Sequence, residues 1–151
     1  RVPMLARWPG KVRAGAVSGW PWAFCDVLPT LAEAAGAKSP AGLDGVSVLP
    51  VLQGKGPPAR RYLYWESVAW DAKARRLREE RLAQAVRVGD WKAVRQRPGA
   101  PLELYNLRPD PGETSDVATA NPAIVAEIEG LMRTARTQPR PHAGGSPQFM
   151  R

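Results

Sequence analysis

Few side chains in this sequence could act as a nucleophile or bind a catalytic metal. Cys25 is the only cysteine and His142 the only histidine among the 151 residues. A single cysteine excludes an internal disulfide and a metal site built from several cysteines. His142 lies in a tail rich in Pro, Gly and Ser, so no Ser/His/Asp triad is expected within a packed core. We therefore predict no catalytic residue and no metal site in this chain.

The aspartates lie at positions where a carboxylate usually accepts hydrogen bonds from backbone N–H groups. Asp26 precedes Pro29-Thr30 and is predicted to cap a helix there. Cys25 is predicted to be a small, buried apolar residue. Four further aspartates near turns or loop ends are interpreted as caps and turn residues: Asp44, Asp90, Asp110 and Asp116.

The chain is strongly basic, with 22 Lys and Arg against 14 Asp and Glu and a net charge of +8. A basic surface could bind nucleic acid or another polyanion. The sequence contains no zinc-finger, glycine-rich phosphate-loop or homeodomain-like pattern, which favours a solvated, Arg-rich surface and no nucleic-acid partner. No run approaches the roughly 18 consecutive apolar residues of a membrane span, so no membrane partner is expected.

The elements that would position any functional residue centre on the stretch from Ala83 to Ala118. Ala83–Val88 and Trp91–Gln96 are strand-like, and Gly89-Asp90 between them is a two-residue hairpin signal. Leu102–Asn106 alternates apolar and polar residues, as a half-buried strand does. In the hairpin register three pairs face each other: Val88 and Trp91, Val86 and Ala93, and Arg87 and Lys92.

Further elements complete a small α+β unit. Arg61–Glu66 is strand-like by its aromatic residues. Pro122–Arg136 has a 3.6-residue apolar period and is predicted to be a helix across the sheet, with Asn121 as its N-cap. Between them, Ser67–Leu82 is rich in helix formers and charges and is interpreted as a solvated helix or mobile loop inserted before the hairpin. The prediction is a four-stranded antiparallel sheet packed by a C-terminal helix.

The N-terminal third follows a different pattern. Val2–Trp8 is mostly apolar and resembles a strand buried on both faces, although the chain offers no obvious parallel partner for it. A tight turn is followed by a helix from about Pro29 to Ala35, which Gly36 ends. The predicted organisation is an incomplete domain at 1–54, a linker at 55–60, an α+β subdomain at 61–137 and a disordered tail at 138–151.

The order of residues in three segments resembles the arylsulfatase-type sulfatases. The run AVRVGDWKAVR, followed by PLELYNLRPDPGETSDVA, is similar to the C-terminal subdomain of that family, and RVPMLARWPG and DVLPTL are similar to segments before it. The resemblance implies that residues 1–54 end an α/β catalytic domain of alkaline-phosphatase-like fold, to which the N-terminal strand and helix belong. It also implies a partner, the missing N-terminal sulfatase domain.

The family's catalytic residues do not map onto this chain. Such sulfatases use a Cys-x-Pro-x-Arg segment whose cysteine becomes formylglycine, beside a calcium-type divalent cation. After Cys25, Val27 and Pro29 stand where the proline and arginine should be. The resemblance therefore places the nucleophile and the cation ligands upstream of Arg1, and we expect no cofactor in this piece.

Two function classes follow. The first is the C-terminal part of a sulfatase that hydrolyses aryl or carbohydrate sulfate esters, in which this piece completes the fold and walls the cleft while the isolated piece is inactive. The second is a non-catalytic binding or assembly module for an anionic partner. A phosphatase or phosphodiesterase of the wider superfamily is disfavoured because the matching segments are of the sulfatase type.

A substrate rim is the one site that we assign to this piece. Arg87 faces Lys92 across the hairpin, and like charges directly opposite each other are destabilising unless an anion lies beside them. Glu103 on the next strand is the simplest such anion, and the sulfates of a glycan are the alternative. Trp70 could stack on a sugar, and the segment that begins at Glu66 is the most divergent from the family. The predicted rim is Glu66, Trp70, Arg87 and Lys92.

Overall fold

The computed structural model of the chain describes residues 3–58 and 62–136. The chain divides into two compact units, with the boundary between Arg61 and Tyr62. The predicted tail, with His142, lies outside the described residues. None of the described helices is long and apolar enough to cross a membrane.

The second unit is a four-stranded antiparallel sheet followed by a helix. The strands follow one another in sequence order across the sheet. They are β1 (Leu63–Asp71), β2 (Arg76–Val88), β3 (Trp91–Arg95) and β4 (Glu103–Asn106), and the helix α3 spans Pro122–Ala135. The α+β prediction, with this strand order and this final helix, is confirmed.

The β2–β3 hairpin has the predicted register. Val88 pairs with Trp91, Arg87 with Lys92, and Val86 with Ala93. Gly89 has φ of +56°, whereas Asp90 is not among the described residues with positive φ. Positive φ at the first central residue alone is the pattern of a type II′ turn, whose twist matches that of the strands.

The core of this unit lies between one face of the sheet and α3. Six residues form it: Val86, Ala93, Leu102, Leu104, Ile128 and Met132. The two helix residues are one turn apart, so a single stripe of α3 contacts the sheet. Asn121 is the N-cap by position, but its side chain does not cap the helix. Its amide donates instead to the carbonyl of Val117 at 2.9 Å, which corrects the predicted capping role.

The segment Ser67–Leu82 is neither a helix nor a loop, which corrects that prediction. β1 and β2 continue through it as a long hairpin whose turn is at residues 72–75. The pairing shifts register between Ser67 and Ala69 and resumes with Trp70 opposite Leu77. Tertiary pairing overrides helix propensity here because β1 offers β2 a row of unpaired backbone groups, which gain hydrogen bonds when the strands extend.

The first unit contains two short helices, and none of its described residues belongs to a strand. A 3₁₀ turn at Phe24–Asp26 leads into α1 (Val27–Ala34), and α2 spans Leu49–Leu52. Gly36 follows α1 with φ of +69°, as its predicted role as a helix stop requires. Residues 3–8 of the predicted strand Val2–Trp8 pair with no strand, because no described part of this unit offers a neighbouring ladder.

Asp26 connects two parts of the first unit and does not cap α1 with its side chain. The residue is fully buried, and its carboxylate accepts hydrogen bonds from the backbone N–H groups of Ala23 at 2.8 Å and Val46 at 2.9 Å. Thr30 repeats the arrangement, since its hydroxyl donates to the carbonyl of Asp26 and accepts from Val48 N–H at 3.0 Å. The predicted helix cap is therefore a buried link between residues distant in sequence.

Cys25 is exposed, which corrects the prediction of a buried cysteine. The apolar residues beside it are exposed as well, with Phe24 at 90% and Leu31 at 62%. Asp26 is the residue of this turn that points inward, since its carboxylate must reach Ala23 and Val46. The neighbouring cysteine consequently faces outward.

Candidate substrate-contacting surface

The two predicted rim cations lie side by side on the sheet face opposite α3. Arg87 and Lys92 form a cross-strand pair, and their neighbours Val86 and Ala93 point to the other face, into the core. Because successive side chains in a strand point to opposite faces, the two cations share the face that α3 does not cover. Tyr105 pairs with Lys92 and extends the row.

The anion beside this pair is Glu113 and not Glu103. The Lys92 Nζ lies 2.5 Å from a carboxylate oxygen of Glu113, in the turn that follows β4. Glu103 instead accepts hydrogen bonds from the Tyr105 hydroxyl at 2.9 Å and from the Gln96 amide at 3.2 Å. The hydrogen bond from Tyr105 to Glu103 is the main reason that the Tyr105 pKa rises to about 12. The sequence missed Glu113 because the contact joins residues 21 positions apart.

Arg87 keeps the end of its guanidinium clear of carboxylates. Its Nε donates to the carbonyl of Gly89 at 3.0 Å, and no described carboxylate forms an ion pair with it. Trp65 lies on the same face, since it pairs with Ala85, two residues before Arg87 in β2. Trp65 is 43% exposed. Side chains alternate between the two faces along a strand, so counting from Leu63, which pairs with Arg87, places Trp65 on the face of Arg87. The sequence pattern could therefore have predicted Trp65 as a rim residue.

Glu66 and Trp70 do not join that pair. Glu66 pairs with Gln84 and so shares the face of Tyr64 and the core. Its carboxylate accepts a hydrogen bond from the Tyr64 hydroxyl and lies 3.2 Å from Arg136, which joins β1 to the end of α3. Trp70 lies near the turn of the long hairpin. The structure thus brings together Arg87 and Lys92 and separates them from the other two predicted rim residues.

Asp110 and Asp116, two of the four aspartates predicted to serve turns, accept hydrogen bonds from the backbone. Asp110 accepts hydrogen bonds from Thr114 N–H at 2.8 Å and Ser115 N–H at 2.9 Å, and these bonds, the one from Ser115 first, lower the pKa of its carboxyl. Asp116 accepts from Leu104 N–H and Ala118 N–H, both at 2.9 Å. Among the residues that the structure describes, no group of three or more His, Cys, Asp or Glu side chains could hold a metal ion.

The four-stranded sheet and its helix occur in solved sulfatases of the alkaline phosphatase superfamily. The crystal structure of Ps i-CgsB superimposes with a TM-score of 0.69 at 28% identity, covering 85% of this chain and 27% of that chain. The structure of a 2-O GAG sulfatase does so with a TM-score of 0.59 at 28% identity, covering 73% and 23%. The fold is therefore that of a sulfatase C-terminal region.

The family is established by sequence. The family model described as N-sulphoglucosamine sulphohydrolase, C-terminal, matches residues 1–138. This chain belongs to that family of sulfatase C-terminal domains, and the predicted resemblance is confirmed. Human arylsulfatase A is 32% identical over 157 residues, covering 87% of this chain and 29% of that protein. The ulvan-active sulfatase of Formosa agariphila is 45% identical over 64 residues, covering 42% and 13%. The chain thus spans less than a third of the length of either relative.

Proposed function

We propose that this chain is the C-terminal part of an enzyme that hydrolyses sulfate esters of carbohydrates. The family match over residues 1–138 carries the proposal. Carbohydrate sulfates are favoured over aryl sulfates by the names of two similar proteins, an ulvan-active sulfatase and Ps i-CgsB, which was solved in complex with k-i-k-neocarrahexaose. Residues 1–54 then end the catalytic domain, and residues 61–137 form the subdomain that completes the fold and walls the cleft.

The reacting groups would belong to the rest of the enzyme. Relatives of the sulfatase type imply a formylglycine nucleophile and a divalent cation of the calcium type. The described residues fit neither group, because Cys25 lacks the required proline and arginine and no three potential ligands cluster. The contribution of this chain would be to position the substrate at the rim.

Within the rim, Arg87 is the strongest candidate for a contact with a substrate sulfate. A guanidinium with its two terminal nitrogens clear of carboxylates can make paired hydrogen bonds to sulfate oxygens. Lys92 beside it is already neutralised by Glu113 and would act as a weaker, second cation. Trp65 beside Arg87 adds a flat apolar surface against which a sugar ring can pack. Glu66 and Trp70, the other two residues predicted for the rim, lie away from this pair, on the core face and beside the turn of the long hairpin, and we leave them out of the proposed rim.

The test is sulfate release by the full-length protein that contains this chain. We expect turnover of a sulfated oligosaccharide and of 4-nitrophenyl sulfate, and none from the 151-residue chain alone. Arg87→Ala should lower kcat/KM on the oligosaccharide by about tenfold, which corresponds to one charge-assisted hydrogen bond. Arg133→Ala, which removes an exposed arginine of α3, is the matched control and should keep the wild-type value.

Three results would count against the proposal. Absence of sulfate release from both substrates by the full-length protein would favour the alternative, a non-catalytic module for an anionic partner. Release by the isolated chain would contradict the placement of the catalytic groups elsewhere. Equal effects of Arg87→Ala and Arg133→Ala would remove Arg87 from the rim while leaving the sulfatase assignment intact.

A further inference from the structure

The turn end of the β1–β2 hairpin presents an apolar pair to solvent. Trp70 and Leu77 face each other across the two strands. They are 42% and 48% exposed. Side chains directly opposite each other in an antiparallel pair contact one another, so the indole and the isobutyl group form one continuous apolar patch.

Hydrogen bonds hold the backbone around this patch in one shape. The Asp71 carboxylate accepts from the Ala74 N–H at 2.9 Å inside the turn. It also accepts from Nε and Nη2 of Arg78 across the strands, at 3.0 and 2.8 Å. The N–H of Ala74, and after it Arg78, lower the pKa of the Asp71 carboxyl, which is therefore ionised at neutral pH. Residues 70–78, which we call the tip, are thus ordered before any ligand binds. A ligand that contacts the tip would lose little binding free energy to ordering it.

The tip also has positive charge in excess. Arg78 is paired with Asp71, and Arg76 with Glu80 at 3.4 Å. Lys73 and Arg75 in the turn form no ion pair with any described carboxylate. Arg75 has φ of +51°, so the turn itself places this residue at its corner. Two cations without an acidic partner among the described residues therefore lie in the turn that joins the strands of Trp70 and Leu77.

We propose that this tip is an auxiliary binding surface for a sulfated polysaccharide, separate from the rim at Arg87. The proposal rests on the proposed function, because the enzyme must act on a polymer for the surface to be used. The C–H face of a pyranose ring packs on the flat indole of Trp70 with Leu77 beside it, while Lys73 and Arg75 contact sulfate groups of adjoining sugars. Contacts remote from the reacting ester would raise kcat/KM for long substrates only.

Charge favours this occupant over a second copy of the chain. A symmetric contact through the tips would bring two turns together, each with unneutralised cations, and like charges oppose such an arrangement. A sulfated polymer supplies the opposite charge along its whole length. A polyanion without any ring, such as inorganic polyphosphate, would contact the cations but would gain nothing from the indole.

The experiment uses the full-length protein with three variants of the tip. Trp70→Leu keeps apolar bulk but removes the flat ring, Trp70→Phe keeps a flat ring, and Lys73→Ala with Arg75→Gly removes the charges while glycine preserves the positive φ. The ratio of kcat/KM on dextran sulfate oligomers, or on a natural sulfated polysaccharide, to that on 4-nitrophenyl sulfate is measured. We expect the ratio to fall by about tenfold for Trp70→Leu and for the double variant, and by less for Trp70→Phe. Arg133→Ala should keep the wild-type ratio.

Each outcome decides the matter. A wild-type protein that releases no sulfate overturns the proposed function. The tip surface is then tested by equilibrium binding of the same polymer. Weaker binding by Trp70→Leu and by the double variant than by Trp70→Phe supports it, and wild-type binding by all three variants overturns it. Wild-type ratios in both Trp70→Leu and the double variant overturn the tip surface alone. If the double variant loses binding of polyphosphate and of the sulfated polymer equally, while Trp70→Leu binds both as the wild type does, the result overturns the proposal in favour of a general polyanion surface. A shift from dimer to monomer in Trp70→Leu, with the ratio unchanged, overturns it in favour of a contact between copies.

Discussion

At the scale of single residues, Gly45 illustrates a constraint that depends on a distant contact. Its φ is not in the left-handed region, but a Cβ at this position would lie 1.9 Å from the carbonyl oxygen of Cys25. The hydrogen bond from Val46 N–H to the Asp26 carboxylate holds the two segments at this separation. Glycine is required here because another backbone passes too close for any side chain.

We expect Gly45→Ala to destabilise the full-length protein by about 2 kcal/mol or more, since the added methyl group forces two hydrogen-bonded segments apart. Gly19→Ala is the matched control, because Gly19 has neither a positive φ nor any atom near the added Cβ. The control should change stability by less than about 1 kcal/mol. The measurement is urea-induced unfolding of both variants, and equal midpoints would show that the close approach does not constrain Gly45.

At the scale of elements, the turn between β4 and α3 depends on an ionised carboxylate. Asp110 accepts hydrogen bonds from the backbone of Thr114 and Ser115 and from the Thr114 hydroxyl at 3.0 Å. The same segment carries Glu113, which has φ of +57° and pairs with Lys92. The turn thereby fixes the anion that neutralises one rim cation.

Asp110 should therefore make stability depend on pH in the acid range. Its pKa in the folded state lies below the ordinary value of 3.8, so its contribution is present above that value and is lost as the pH falls through the folded-state pKa. We expect Asp110→Ala to lower the melting temperature at neutral pH, and the difference from wild type to shrink steadily in strong acid. Thermal unfolding across that pH range measures it. A difference that stays constant down to the lowest pH would mean that the carboxylate charge contributes nothing.

At the scale of the whole molecule, the two units differ in how much apolar surface they bury. The second unit contains the contiguous core between the sheet and α3. Several large apolar side chains of the first unit are exposed to solvent: Leu5 is 99% exposed, Val17 97% and Phe24 90%. Exposed apolar surface of this kind marks a contact surface or a tendency to aggregate.

We expect the 151-residue chain, made alone, to self-associate through this surface. Replacing Phe24 and Leu31 together with serine should raise the monomer fraction in sedimentation velocity, since both side chains are more than half exposed and form no part of a core. Lys38→Ser is the control for a change of an exposed polar residue and should leave the distribution unaltered. A wild-type chain that sediments as a monomer at high concentration would contradict the expectation.

Part of the second unit follows from local sequence patterns alone. Gly89-Asp90, the alternation on either side and the 3.6-residue period after Pro122 specified the hairpin register and the helix, because each pattern is written in neighbouring residues. Contacts between distant residues form only in the folded chain, where they can outweigh local propensity. They extend Ser67–Leu82 into a hairpin against its helix propensity, since unpaired strand edges gain hydrogen bonds by pairing. They also give Lys92 the partner Glu113 and give Asp26 the partner Val46, 20 residues away, because such partners meet only when the chain is folded.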